Sequence, residues 1–209
     1  MVPSLAVDGL FVTFEGIDRS GKSTQARLLC DALGERAVCL RDPGGTPMGE
    51  RLRELLKDPA AAIDPRAEAL LFAAARAEAV EQVIRPALED GRVVVSDRFT
   101  DSSLAYQGEA RGLGSDAVRR LNDWATAGLA PDITFLLALD PLAAAARGAE
   151  GDRFENEGAG LQRRVQEAYE EMAAAEPRRW RRLDAGREPA ELHAEVLAAV
   201  ESARNGVPA

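Results

Sequence analysis

Histidine occurs once in the 209-residue chain, as His193. It falls in a charged C-terminal stretch and reads as a solvated surface residue. With so few imidazole and thiol ligands, a zinc site is not expected. Cysteine occurs twice, as Cys30 in a helical stretch and Cys39 in a strand that reads as buried. Two such thiols predict reduced cysteines, no disulfide framework and a reducing, cytoplasmic compartment. No stretch reaches the ~18 uninterrupted apolar residues that a membrane-spanning helix needs. Residues 1–8 carry neither a basic n-region nor an apolar core, so no signal peptide is expected. Positive charge is also in short supply: 26 Lys plus Arg stand against 35 Asp plus Glu, a net charge of −9. That balance argues against a general nucleic-acid or membrane surface. It leaves room for a local positive nest, which an acidic protein can build around a phosphate. Repeats and low-complexity linkers are missing too. What remains is an ordinary globular composition, 46% hydrophobic and 29% charged, sized for one domain over residues 1–209 with an inserted lid.

Lysine is the scarcest charged side chain, with Lys22 and Lys57 alone among 26 basic residues. Lys22 stands in the most informative stretch of the chain. Gly16, Ile17, Asp18, Arg19, Ser20, Gly21, Lys22 and Ser23 fit G-x-x-x-x-G-K-[ST], preceded by an apolar run from Phe11 and followed, from Thr24, by helical patterning. Strand, glycine loop and helix are the context this phosphate-binding loop requires. Its glycines let successive N–H groups converge on one concavity. The helix N-terminus adds unpaired donors and positive dipole charge. Lys22 is expected on the β- and γ-phosphates, and the Ser23 hydroxyl on Mg²⁺. A compact ammonium suits that place better than a planar guanidinium, which explains a lysine in an arginine-rich chain.

Strand-like and helix-like stretches alternate along the rest of the sequence. Residues 37–40, 93–95, 133–139 and 180–183 read as further strands. Helices are expected at 25–33, 48–57, 115–127 (capped by Ser115), 142–149, 161–175 and 188–203. Residues 65–89 read as one long helix, disturbed near Pro86. This pattern predicts a five-stranded parallel sheet covered on both faces, an α/β/α arrangement. Right-handed crossovers bring the loops after the first three strands, Gly16 to Ser23, Asp42 to Thr46 and Asp97-Arg98, to one crevice.

Asp97 ends a buried strand, where a carboxylate beside a phosphate-binding loop holds Mg²⁺ or orients the transferred group. Arg98 offers a fork suited to phosphate, with a structural ion pair as the competing reading. Phe72 and Arg76 lie four apart on one helix face, with Arg51 as a third member of the group. They suit base stacking and phosphate recognition, although spacing alone favours a core Phe beside a surface Arg. Arg147 and Arg153 bracket Gly148 and Gly151, which reads either as basic groups on a mobile segment or as a solvated cluster.

Four motifs give the chain a resemblance to bacterial thymidylate (dTMP) kinases, within the P-loop nucleoside monophosphate kinases. They are Phe14 to Gln25, Arg41 to Pro47, Leu70 to Arg76, and Asp97-Arg98-Phe99 leading to Ser102 through Gly108. The resemblance runs from Phe11 to the C-terminal helix. It implies transfer of phosphate from ATP to dTMP with Mg²⁺ in a cytoplasmic homodimer, with Leu70 to Ile84 as a candidate interface. It implies Phe72 stacked on thymine; Arg76, Ser103 and Gln107 around the base edges; Arg98 on the dTMP phosphate with Arg51 nearby; and Tyr106 by the deoxyribose. Asp97 would organise Mg²⁺. Residues 148–160 would form a lid over ATP, with Arg147 and the Asp184-Ala185-Gly186 loop near adenine and Arg153 near the phosphates.

Three departures from the family pattern stand out. Asp42 replaces the usual Glu and is one methylene shorter, so its reach to substrate or metal can require a water. Ala75 replaces an Asp, which removes an ion-pair partner of Arg76 and leaves that arginine freer. Both Arg19 and Arg153 are present, so either one is available for the transferring phosphoryl group. Two other readings compete with this one. A kinase for another nucleoside monophosphate shares the stacking site, because one methyl contact discriminates by only ~1–3 kcal/mol. A GTP-dependent switch would fit Asp42 to Gly45 as D-x-x-G, but no Asn precedes a Lys, so the guanine-reading N-K-x-D motif is missing.

Overall fold

Five stretches form strands: β1 (Leu10–Glu15), β2 (Ala37–Arg41), β3 (Val93–Asp97), β4 (Ile133–Ala138) and β5 (Trp180–Asp184), with β-branched and aromatic side chains concentrated in β1, β3 and β4. The computed structural model describes residues 9–148, 154 and 158–205. All four strand pairings are parallel, in the order β2-β3-β1-β4-β5. The central strands β1, β3 and β4 are almost wholly buried, whereas β2 and β5 are edges with exposed positions. Alternation along the strands divides the core. Val12, Phe14, Val93 and Val95 pack with Leu29 and Leu33 of helix α1 (Lys22–Leu33) and Val196 and Val200 of α9 (Pro189–Arg204). Phe11 and Val94 point the other way, to Val80, Ile84 and Leu88.

The remaining helices are α2 (Pro47–Lys57), α3 (Pro65–Ala79), α4 (Arg85–Glu89), α5 (Thr100–Ser103), α6 (Ser115–Ala125), α7 (Pro141–Ala145) and α8 (Ala159–Ala175). Thr46, Asp64 and Asp140 cap α2, α3 and α7 through their side chains, each with proline at the start of the helix. The expected long helix over 65–89 is continuous in path but widens to a π-helical turn at Val80–Ile84. Pro86 has no N–H and its ring crowds the carbonyl one turn back, so the ladder loosens there. Ser115 is the first residue of α6 and not its cap; Gly114 precedes it, and the Ser115 hydroxyl bonds Glu109 instead. Sequence patterning assigns no element to residues 100–110, yet α5 runs into a second π-helical stretch at Leu104–Ala110. Helix α7 is shorter than expected.

The cysteines correct another expectation. Cys30 and Cys39 are joined by a disulfide, with their Cα atoms 6.3 Å apart. Cys39 is exposed, because β2 is an edge strand whose alternate residues face outward. The bridge ties α1 to that edge, where sequence periodicity could not register the contact between helix and strand.

The ladders extend past the strand ends. Arg98 N donates to Phe14 O at 3.0 Å, and Asp42 N to Asp97 O at 2.9 Å. The loops after β1, β2 and β3 therefore lie side by side on one edge. Thiol titration of the unfolded, unreduced protein is expected to find no free thiol, and reduction to lower stability by about 2–3 kcal/mol for so short a loop. Two titratable thiols before reduction would contradict the bridge.

Candidate active site

The loop between β1 and α1 depends on backbone that most residues avoid. Gly16 has φ 140°, and a Cβ there would sit 2.7 Å from the Leu137 carbonyl oxygen. Gly21, at φ 100°, leads into α1 with no side-chain cap. The first N–H groups of that helix are thus left to whatever anion enters. Arg19 (φ 63°) and Arg98 (φ 75°) adopt left-handed backbone despite carrying side chains. Such conformations persist where surrounding bonds hold them, and they cluster at working sites.

Lys22 is buried, and its Nζ donates to Ile17 O at 2.6 Å and Ser20 Oγ at 3.4 Å. The ammonium is folded back onto its own loop. Burial, reinforced by the nearby Arg98 charge, pushes its pKa down to about 8. The negative charge of an incoming phosphate would oppose both effects.

Arg98 holds the neighbouring elements together. Its Nη1 donates to Gly16 O (3.1 Å), Ser102 Oγ (3.0 Å) and Tyr169 OH (3.2 Å). Its Nη2 donates to Asp18 Oδ1 (2.6 Å) and Tyr106 OH (3.3 Å). The ion-pair reading is met by Asp18, and the same guanidinium lines the cleft. Burial pushes the Asp18 carboxyl up, but Arg98 and Lys22 outweigh it and hold the carboxyl below its ordinary range. Beneath lies Glu15, fully buried, accepting from Phe99 N (2.8 Å), Ser102 Oγ (2.6 Å) and Tyr169 OH (2.7 Å). Burial, then the Asp101 charge, pushes its pKa up to about 7 against the pull of Arg98.

Ser23 Oγ donates to Asp97 Oδ2 at 2.5 Å, while Asp97 Oδ1 is buried with no partner among the described residues. A serine hydroxyl beside an unsatisfied carboxylate oxygen, next to a phosphate-binding loop, fits Mg²⁺. That ion takes one or two carboxylates and completes its shell with water and substrate phosphate. Among the described residues no group of three or more His, Cys, Asp or Glu could hold a metal ion.

One cleft, about 880 Å³ including its open mouth, joins these groups to an apolar wall. Phe72, Ser103, Tyr106, Gln107 and Phe154 line it, as do Asp18, Arg19, Lys22, Ser23, Asp42, Asp97 and Arg98. Phe154 lies 5.8 Å from the Phe72 ring and 6.1 Å from Tyr106, centroid to centroid. A second hollow lies across the loop, lined by Arg19, Ser20, Gly21, Thr24, Arg147, Ala185 and Gly186. Arg147 bridges it, donating to Arg19 O (3.3 Å) and Ala185 O (2.7 Å). Ile17 contributes its carbonyl to Lys22 while its side chain sits in the core.

Three sequence expectations change here. Arg51 is exposed on α2 and does not line the cleft; Arg53 does, and donates to Pro43 O at 3.0 Å. A signal existed, since Gly49 and Leu56 mark the buried face of α2, and Arg53 shares it at helical spacing. Arg76 is completely buried while Phe72 is half-exposed, the reverse of a core Phe with a surface Arg. Nor is Arg76 freer for want of an acidic neighbour. Asp42 accepts from both its Nε (3.1 Å) and Nη2, Asn122 Oδ1 accepts from Nη1 (2.7 Å), and Ser103 Oγ from Nη2 (3.2 Å). The shorter Asp42 is therefore an ion-pair partner of Arg76, an arrangement visible only once α3 is packed against β2. Arg153 and most of the expected lid lie outside the described residues. Sequence reasoning missed Glu15, Tyr169, Asn122 and Phe154; only Glu15 carried a signal, as a charged residue at the end of an apolar strand.

Comparison with known proteins gives a consistent picture. A family model described as thymidylate kinase matches residues 14–196. The chain is 48% identical to a thymidylate kinase of Deinococcus radiodurans over 92% of this chain and 96% of that one. It is 47% identical to one of Halothermothrix orenii, covering 90% and 94%. A crystal structure of thymidylate kinase from Ehrlichia chaffeensis superimposes with a TM-score of 0.76 at 33% identity, covering 92% of this chain and 98% of that one.

The raised pKa of Glu15 has a definite sign for stability. The folded protein binds this proton more tightly than the unfolded chain, whose carboxyl titrates near 4.5. Stability contributed below that value is therefore lost as pH rises toward 7. Urea unfolding at pH 5 and pH 8 is expected to show this loss in the wild type and its removal in Glu15→Gln. Parallel profiles for the two proteins would contradict it.

Proposed function

The chain belongs to the thymidylate kinase family, and from that premise we propose how the residues of its cleft divide the work. The protein phosphorylates dTMP to dTDP with ATP as co-substrate. The observation that carries the division is that Lys22 and Arg98, two desolvated cations held by carbonyls and by Asp18, face the same cleft as an apolar wall containing Phe72.

In this reading the ATP phosphates lie against the N–H groups of residues 16–24, and Lys22 exchanges Ile17 O for phosphate oxygens. The adenine enters the hollow bounded by Arg147, Ala185 and Gly186. Arg98 takes the dTMP phosphate with a guanidinium already oriented by Asp18 and two tyrosines. Phe72 stacks on the thymine, and Tyr106 borders the sugar. Ser23 and Asp97 would hold Mg²⁺, which would supply charge that neutralises the nucleotide phosphates. The dTMP phosphate is the nucleophile and is largely ionised near neutral pH, so Asp97 organises and does not act as a base. Positioning and charge stabilisation supply most of the catalysis.

Arg19 lines both hollows, and its Nη1 donates to Gly148 O at 3.3 Å. We place it beside the transferring phosphoryl group, with residues 148–160 as the lid and Arg153 as its partner. Comparing Arg19→Ala, Arg153→Ala and the double variant tests this; an unchanged kcat in all three would remove both from the mechanism. We also place the protein in the cytoplasm, where its nucleotide substrates are made, although the disulfide removes one ground for that expectation. Fractionation of its native cells finding it outside the cytoplasm would overturn this. A homodimer is supported by Leu70, 57% exposed on α3 and one turn from exposed Ala74. A monomer in sedimentation at micromolar concentration would count against it.

An ADP-release assay across dTMP, dUMP, dCMP, dGMP and AMP tests the nucleoside reading, with dTMP expected first and dUMP the nearest follower. In the same assay, Lys22→Met should lose about 10²–10³-fold in kcat. Arg98→Ala should lower kcat/KM for dTMP far more than it raises KM for ATP. An effect of Arg98→Ala confined to ATP would reverse that residue's role.

A further inference from the structure

Gln107 reaches the cleft from the π-helical stretch Leu104–Ala110, whose wider turn aims both Tyr106 and Gln107 inward. Its Nε2 donates to Glu68 Oε1 at 2.8 Å. Glu68 is fully buried on α3, and Arg111 donates to both of its oxygens, from Nε to Oε1 (3.1 Å) and from Nη2 to Oε2 (3.1 Å). An amide group is nearly symmetric in shape, so packing alone does not decide which end faces a ligand. A carboxylate paired with a guanidinium decides it, because it accepts and does not donate. The NH₂ end of Gln107 must turn to Glu68, which leaves the carbonyl Oε1 for the cleft. No donor among the described residues meets that oxygen.

We propose that Glu68 is a positioning residue that fixes the amide of Gln107 with its acceptor toward the base, and thereby selects a pyrimidine whose N3 carries a hydrogen. Thymine presents N3–H as a donor. Cytosine presents a bare N3 acceptor there, which would face another acceptor and leave both unsatisfied in a desolvated pocket. Stacking on Phe72 is indifferent to this distinction, so Glu68 supplies discrimination that the aromatic wall does not. The inference rests on the reading that Gln107 meets the base edge.

The pair dTMP and 5-methyl-dCMP isolates the effect, because both carry the 5-methyl group and the same sugar and phosphate. Glu68→Gln keeps size and shape but can donate to Gln107, allowing its amide to reverse. The ratio of kcat/KM for dTMP over 5-methyl-dCMP is expected to narrow by about 10–100-fold, chiefly through KM for dTMP, with KM for ATP unchanged. In a Gln107→Ala background, Glu68→Gln should narrow it no further. Equal loss for both nucleotides with the ratio intact would assign Glu68 a purely structural role and overturn the proposal. If Gln107→Ala leaves the ratio intact, the base-edge reading itself fails. Should Glu68→Gln not fold, Glu68→Asp withdraws the acceptor by one methylene, and an unchanged ratio there overturns the proposal equally.

Discussion

A guanidinium largely covered at the base of the cleft sets the terms for everything around it. Arg98 donates to the loop carbonyl of Gly16, to Asp18, to Ser102 and to the hydroxyls of Tyr106 and Tyr169. These partners come from the loop after β1, from α5 and the π-helical stretch that follows it, and from α8. A buried cation without such company would be very costly, so the elements that supply it are constrained to meet. The left-handed backbone of Arg98 is the local consequence of satisfying those bonds. Glu15 and Asp101 continue the web inward, and Asp101 reaches Arg179 through paired contacts of 2.5 and 3.1 Å. The phosphate end of the cleft is thus rigid before any ligand arrives, which is what positioning requires.

The charge pattern explains how an acidic protein binds two highly anionic nucleotides. Its net charge is −9, yet Lys22 is buried and Arg98 is largely covered at the phosphate end of the cleft. Asp18 stands in for phosphate near both. Asp97 adds an unsatisfied oxygen at the point where a divalent ion would join the assembly. At the other end, the nucleoside wall follows a separate logic. Phe72, Tyr106 and Phe154 give it apolar area, while Asp42 and Asn122 lock Arg76, and Glu68 bonds Gln107. Buried carboxylates and amides thus hold the polar groups of that wall in fixed orientations.

Much of this was legible from sequence because it is local. The phosphate loop announces itself by spacing and by a lysine in an arginine-rich chain, and the central strands by short apolar runs such as Val93-Val94-Val95. The parallel order and one-sided crevice then follow from handedness. What sequence did not show depends on contacts between distant segments. Cys30 and Cys39 meet because α1 lies over an edge strand. Arg76 is buried because Asp42 and Asn122, 34 and 46 residues away, close around it. The π-helical stretches arise from proline sterics and tertiary aim, which helical periodicity averages away. Arg53 was the exception: its face was readable from Gly49 and Leu56.

The phosphate-binding cation Lys22 is thus stored desolvated, and the charge of its substrate offsets that penalty. Lys22, depressed to about 8, is only partly protonated at pH 8 in the free protein. Calorimetry of ATP binding at pH 8, in buffers of differing ionisation enthalpy, measures the proton exchange directly. Net proton uptake on ATP binding, absent in Lys22→Met, is the predicted result. No uptake by the wild type, or the same uptake in Lys22→Met, would contradict it.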